Sequence, residues 1–163
     1  MAASGAYLVK KPSIFKMVGA FALAALLGTG SALPARAQEC ANPQERAALD
    51  IRAMQSELMV AALSCHKNAE YNRIVAMHKD RLAMAGREMR EYFGRVYAEK
   101  ANATMNAFVT DLANKTSNIS LGVDIDQYCQ KAGYVFNMLL SGQDPTRLAP
   151  YFSHLHDVKT CRN

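Results

Sequence analysis

Apolar residues recur along this chain at spacings of three and four, the repeat of one helix face. Over 43–65, Ala47, Ile51, Met54, Leu58, Ala61 and Cys65 step by 4, 3, 4, 3 and 4. The start of this helix is marked: Asn42 can cap, Pro43 suits the first helical position, and Glu45 completes a capping box. "HKNAE" then breaks the pattern. A second stripe follows from 69 to 97, through Tyr71, Ile74, His78, Leu82, Ala85, Met89, Phe93 and Val96. Gly86 lies inside it, and a mid-helix glycine marks a kink or a close helix crossing. The opposite face is charged, with Arg87, Glu91 and Arg95 spaced as i,i+4 pairs, as on a solvated surface.

A third helix is expected over 100–117, with Met105, Phe108, Leu112 and the stem of Lys115 inward. "SNISLGVD" reads as a loop. Asp124 caps a fourth helix, with Gln127 at the capping-box position. Its stripe is Ile125, Tyr128, Cys129, Ala132, Val135, Phe136 and Leu139, and "SGQDP" ends it. "DPTRLAPYF" allows one short helical turn between prolines, and "SHLHDVKTCRN" reads as a tail. No alternation typical of strands is sustained. The fold class is all-α: an antiparallel four-helix bundle with a short extra turn near the C-terminus.

The first 37 residues read differently. Lys10, Lys11 and Lys16 precede an uncharged apolar run at 17–33, and "PARA" offers Ala35 and Ala37 in the pattern of a signal-peptidase site. Cleavage is expected between Ala37 and Gln38. The apolar run is shorter than the roughly 20 residues a spanning helix needs, so no stable membrane anchor is expected. Nor do the residues before Cys40 make a lipobox. The domain is then 38–163.

Removing that segment changes the charge. Of the 19 lysines and arginines, four (Lys10, Lys11, Lys16, Arg36) lie before residue 38, and none of the 14 acids do, leaving 15 basic against 14 acidic residues. A nucleic-acid partner, which needs a concentrated basic footprint, is not expected. All 4 cysteines remain in the domain. An even number in an exported chain reads as a disulfide framework, and no C-x-x-C is present. Cys40 and Cys65 flank a first helix about 33 Å long, whereas bridged Cα atoms lie within about 7 Å. That excludes Cys40–Cys65. An up-down bundle brings the end of the first helix beside the start of the fourth, and the tail back to the start of the first. The expected bridges are Cys65–Cys129 and Cys40–Cys161.

Candidate chemistry is sparse. Covalent haem needs C-x-x-C-H, and Ala62 stands where "ALSCH" would need its first cysteine. Seven methionines survive signal removal, mostly on helix stripes where Met fills core. A Cys65–His66 dyad needs a free thiolate, which a disulfide removes. His154 and His156 of "HLHD" could chelate copper or zinc from an extended segment, but no further ligand is evident and a solvated tail is the simpler reading. His78 is expected as a hydrogen-bonded core histidine. Glu88/Glu91 and Asp124/Asp126 are surface and cap pairs. The sequons at Asn102, Asn114 and Asn118 matter only in a eukaryotic secretory pathway. No hydrolase, P-loop, zincin or dinucleotide fingerprint occurs. No catalytic, cofactor-binding or metal residue is therefore assigned, and no cofactor is expected.

"MQSELMVAALSC", then "YN", "FVTDLAN" and a later "YC", resemble a family of small exported helical proteins of alphaproteobacteria that has no assigned activity. The resemblance implies a disulfide role for Cys65 and Cys129 and transfers no catalytic residue. The expected function is non-enzymatic binding in the periplasm or outside the cell, with another envelope protein as partner. The alternative is a carrier of a small ligand, haem or metal, using the bundle interior or the His154–His156 tail.

Overall fold

The structure, a computed structural model, describes residues 39–161. The expected export signal and the Ala37–Gln38 cleavage point lie outside the described residues. The element order is α1 (Pro43–Ser64), α2 (Asn68–Met77), α3 (Lys79–Tyr97), a 3₁₀ turn (Ala98–Lys100), α4 (Ala101–Gly122), α5 (Ile125–Leu140), α6 (Pro145–Leu148) and a 3₁₀ segment (Ala149–Leu155). Among the described residues no strand forms; one isolated bridge pairs Ala41 with Thr160. No described helix is long and apolar enough to cross a membrane.

The capping box on α1 forms as expected. Glu45 N donates to Asn42 Oδ1 at 2.9 Å, and Asn42 N donates to Glu45 Oε2 at 2.8 Å. Glu45 is buried, and a buried carboxylate needs a partner. Arg95 of α3 supplies one, donating to both Glu45 oxygens, at 3.1 and 2.6 Å. The cap therefore also joins α1 to α3.

α1 is the centre of the molecule and not one stave of a symmetric bundle. Beyond the expected stripe it buries Ala48, Leu49, Ala53, Val60 and Ala62. A helix apolar on most sides is one that its neighbours surround. Its first half packs with Met89, Tyr92 and Phe93 of α3. Its second half packs with Ile74 of α2, with Phe136 and Leu139 of α5 and with Leu148 of α6. Leu112 of α4 and Leu155 close a smaller cluster on Ala53.

This division explains a correction. The expected single helix over 69–97 is two helices broken at His78, while Gly86 lies undisturbed within α3. His78 Nε2 meets the Leu139 carbonyl at 3.0 Å. That carbonyl belongs to the last turn of α5, where it also accepts from Gly142 N at 3.0 Å. The ring pins the joint there, so α2 can lie on α5 while α3 lies on α1 and α4.

A second correction concerns α4, which runs through the expected "SNISLGVD" loop to Gly122. The hydroxyls that suggest a loop bond back onto their own helix. Thr116 Oγ1 donates to Leu112 O at 3.0 Å, and Ser120 Oγ to Ser117 O at 2.8 Å. Asp124 then caps α5, accepting from Gln127 N at 3.0 Å.

Both expected disulfides are present, Cys40–Cys161 with Cα atoms 5.0 Å apart and Cys65–Cys129 with 5.5 Å. The first closes a docked segment, which corrects the reading of 153–163 as a solvated tail. Ala41 N donates to Lys159 O at 2.8 Å, and Cys161 N to Ala41 O at 2.9 Å. His156 is buried and its Nε2 lies 2.9 Å from Asp50 Oδ1, which also accepts from Arg46 Nε at 3.0 Å. Arg46 Nη1 reaches on to the Val158 carbonyl.

Candidate functional site

One group of exposed apolar residues lies where α4 hands over to α5. Ile119, Leu121, Val123 and Ile125 are all exposed there, Leu121 by 84%. Ile125, expected in the core stripe of α5, stands instead at this edge. Ile119 and Val123 wall a cleft of about 200 Å³, together with Leu58 of α1, Val135 of α5 and Phe152 of the 3₁₀ segment. Val135 and Phe152 also wall a second cleft of about 510 Å³, with Tyr134, Met138 and Tyr151. Val135 and Phe152 thus stand between two neighbouring clefts on the α5 face. Tyr134 and Tyr151 line the second while 67% and 77% exposed. Contiguous exposed apolar surface with tyrosines characterises interaction faces.

Helix spacing places these residues. Tyr134 and Met138 share one side of α5, while Ala132, Phe136 and Leu139 turn to the core. Tyr151 and Phe152 lie in the 3₁₀ segment that follows directly on α6, the short helix that Asp144 caps. Asp144 Oδ1 accepts from Thr146 N at 2.8 Å and from its hydroxyl at 2.7 Å. These bonds, with Arg81 beside the carboxylate, hold Asp144 below the usual carboxylate range.

The smaller cleft has a polar floor. Glu57 Oε2 and the Tyr128 hydroxyl are both shut off from solvent, and neither makes a hydrogen bond of normal geometry. They lie close enough to perturb one another. Burial, then the negative charge of Glu57, pushes the Tyr128 phenol well up. Burial raises the Glu57 carboxyl, while Tyr128 and His154 draw it partly back.

A second, polar notch of about 510 Å³ lies beside the Cys40–Cys161 end, between Tyr92, Tyr97, Phe108, Lys115 and His156. The Asp50–His156 pair orients an imidazole as a general-base dyad does. His156 Nδ1 is buried with no hydrogen-bond partner. The lining of the notch, however, holds no serine, threonine or free thiol for that base to activate. Tyr92 is buried, and its phenol is pushed up to about 12 by that burial; its hydroxyl donates to the Glu39 carbonyl at 2.9 Å.

The residues singled out in the sequence fall as follows. Cys65 is bridged, so a Cys65–His66 thiolate pair does not exist, and exposed His66 turns the chain with φ 57°. His154 is exposed with Nδ1 on Tyr151 O at 3.0 Å, whereas His156 faces inward onto Asp50. The motif that looked like one chelate is thus divided between surface and core. Among the described residues, no group of three or more His, Cys, Asp and Glu could hold a metal ion. Sequence reasoning missed Glu57, Tyr134, Tyr151 and Phe152. Tyr134 carries a signal, since it lies off the apolar stripe of α5. Glu57 carries a fainter one, as the only charge in "SELMVAALS". No protein-family model, curated protein or solved structure matches this chain.

Proposed function

We propose that this is an exported, disulfide-stapled binding protein that holds another envelope protein on its α5 face without covalent chemistry. One observation carries the reading: exposed Ile119 and Val123 line one cleft, exposed Tyr134 and Tyr151 line a second, and the two clefts share Val135 and Phe152 as walls. Burying such a face on a partner removes apolar area from water, the main driving force of association. Two disulfides and the absence of a membrane-crossing helix among the described residues are compatible with an oxidising compartment. The resemblance to exported alphaproteobacterial proteins and the "PARA" segment favour the periplasm.

A photo-crosslinking residue placed at position 134 or 151 is expected to trap a discrete protein adduct in envelope fractions. The same probe at exposed Arg90, on the charged side of α3, should trap none. No adduct at 134 and 151, or the same adducts from position 90, would sink the proposal. The alternative, a carrier of metal on the C-terminal histidines, has less support, because His156 is committed to Asp50.

A further inference from the structure

We infer that the cleft of Tyr134 and Tyr151 takes an acidic segment of the partner protein, an apolar side chain filling the cleft while the neighbouring carboxylate pairs with Arg147. The inference rests on the α5 face being the docking face and names the chemistry that fits it. Size comes first. The cleft offers about 510 Å³, within the range of roughly 300 to 1,000 Å³ that encloses whole ligands. That is room for a large side chain and the backbone beside it. Val135, Met138, Leu148 and Phe152 supply apolar lining.

Charge comes next. Among the described residues that line this cleft, Arg147 alone is charged, and it is exposed. No described acid forms an ion pair with it; Asp144, three positions earlier, is held by Arg81 at 3.0 Å. Its guanidinium is therefore open to an incoming carboxylate, which it can grip through two parallel bonds. The neighbouring cleft adds Lys131, also exposed, three positions before Tyr134 on α5. Exposed His154 stands next to this edge as well, and protonation would add to the same sign. Glu57 is the one acid lining either cleft, and its Oε2 is shut off from solvent. A partner laid across both clefts meets accessible positive charge beside apolar surface, and complementary negative charge is what selects it.

The tyrosines favour a protein chain over a small free carboxylate. Tyr134 and Tyr151 are 67% and 77% exposed, so a molecule confined to the cleft leaves most of both rings in water. A peptide crossing the cleft covers them, as tyrosines are covered in protein interfaces. Two or three cations do not make the concentrated basic footprint of a nucleic-acid site.

The test uses a blocked tripeptide, acetyl-phenylalanyl-glutamyl-leucine amide, and its glutaminyl counterpart, titrated into the intact disulfide-bonded protein and followed by NMR. The acidic peptide is expected to bind with roughly millimolar affinity and to shift Tyr134, Met138, Arg147 and Phe152. The glutaminyl peptide should bind about fivefold more weakly, the size of one exposed ion pair. Arg147→Gln should abolish that difference, and Arg147→Lys should restore part of it. Tyr134→Ala should weaken both peptides and keep their ratio. Thermal melts of each variant confirm that it is folded. Equal binding of the two peptides, shifts elsewhere, or an unchanged ratio in Arg147→Gln would overturn the inference. So would 3-phenylpropionate binding as tightly as the acidic peptide, which would assign the cleft to small carboxylates. If the peptides fail while adducts at positions 134 and 151 persist, the acidic anchor falls and the docking face stands. If the adducts fail as well, both fall.

Discussion

At the scale of single residues, Glu57 has the least settled environment. Its carboxyl is raised in the folded chain, chiefly by burial, so the folded state holds the proton more tightly than the unfolded one. Ionisation therefore costs stability as pH rises through the folded value, and costs nothing below the unfolded value. Glu57→Gln cannot ionise. It is expected to resist urea better than the parent at about pH 8 and to match it at about pH 3.5, below the ordinary glutamate range. A variant less stable at pH 8 would show that the carboxylate is satisfied. Reading the sequence does not reveal this, because Tyr128 and Phe152, which share its cleft, lie 71 and 95 positions away in the chain. The Asn42–Glu45 cap is the opposite case: donor and acceptor lie three residues apart and the motif is local.

At the scale of elements, helix identity follows from periodicity, and helix ends follow from it only where a local cap exists. Asn42 and Asp124 set their starts within one turn of chain. The break at His78 has no such mark, since its cause is the carbonyl of Leu139 on another helix. Gly86 carries the local signal of a kink and makes none. A methyl group there would meet only the Arg90 side chain, at an ordinary 3.6 Å. Gly86→Ala is therefore expected to stabilise the domain by about 1 kcal/mol, measured by urea denaturation. His78→Ala should cost about 1 kcal/mol, the net worth of one hydrogen bond. It should also speed amide exchange in α2 more than in α3, because α2 depends on the pinned joint for its place on α5. Equal acceleration in both would refute that account. The extension of α4 escaped notice for a related reason. Serine and threonine suggest loops by competing with the backbone, yet at Thr116 and Ser120 they bond within the helix.

At the scale of the whole molecule, the two bridges divide the labour. Cys65–Cys129 ties α1 to α5 across 64 positions, and Cys40–Cys161 ties the start of α1 to the C-terminal segment across 121. Removing either pair as Ser/Ser is expected to cost about 2–4 kcal/mol. The consequences should differ in place. Loss of Cys40–Cys161 should release the segment through His156 and lower amide protection near Lys159 and Cys161, leaving the α2–α5 contact intact. Loss of Cys65–Cys129 should loosen α2 and α5, and with them the two clefts. Hydrogen exchange on each variant checks this, and uniform loss of protection from either would contradict it. The pairing could be argued from the sequence because it depends on helix length and chain order alone. The docking of the C-terminal segment could not, because polar "SHLHDVK" gives no periodic signal and is held by Asp50 and Ala41 from the far end of the chain.

The sequence by itself determined the helical stripes, the caps at Asn42 and Asp124 and the pairing of the cysteines. Each is set by interactions a few residues long or by the rigid length of a helix. Only the tertiary structure decided that α1 would be enclosed, that His156 would turn inward while His154 stayed out, and that Phe152 would wall both the cleft of Glu57 and the cleft of Tyr134 and Tyr151. Those outcomes depend on which apolar face finds a neighbour. When α1 takes up the inner faces of the other helices, the apolar residues at the α4–α5 edge are left without cover. The site is that uncovered remainder.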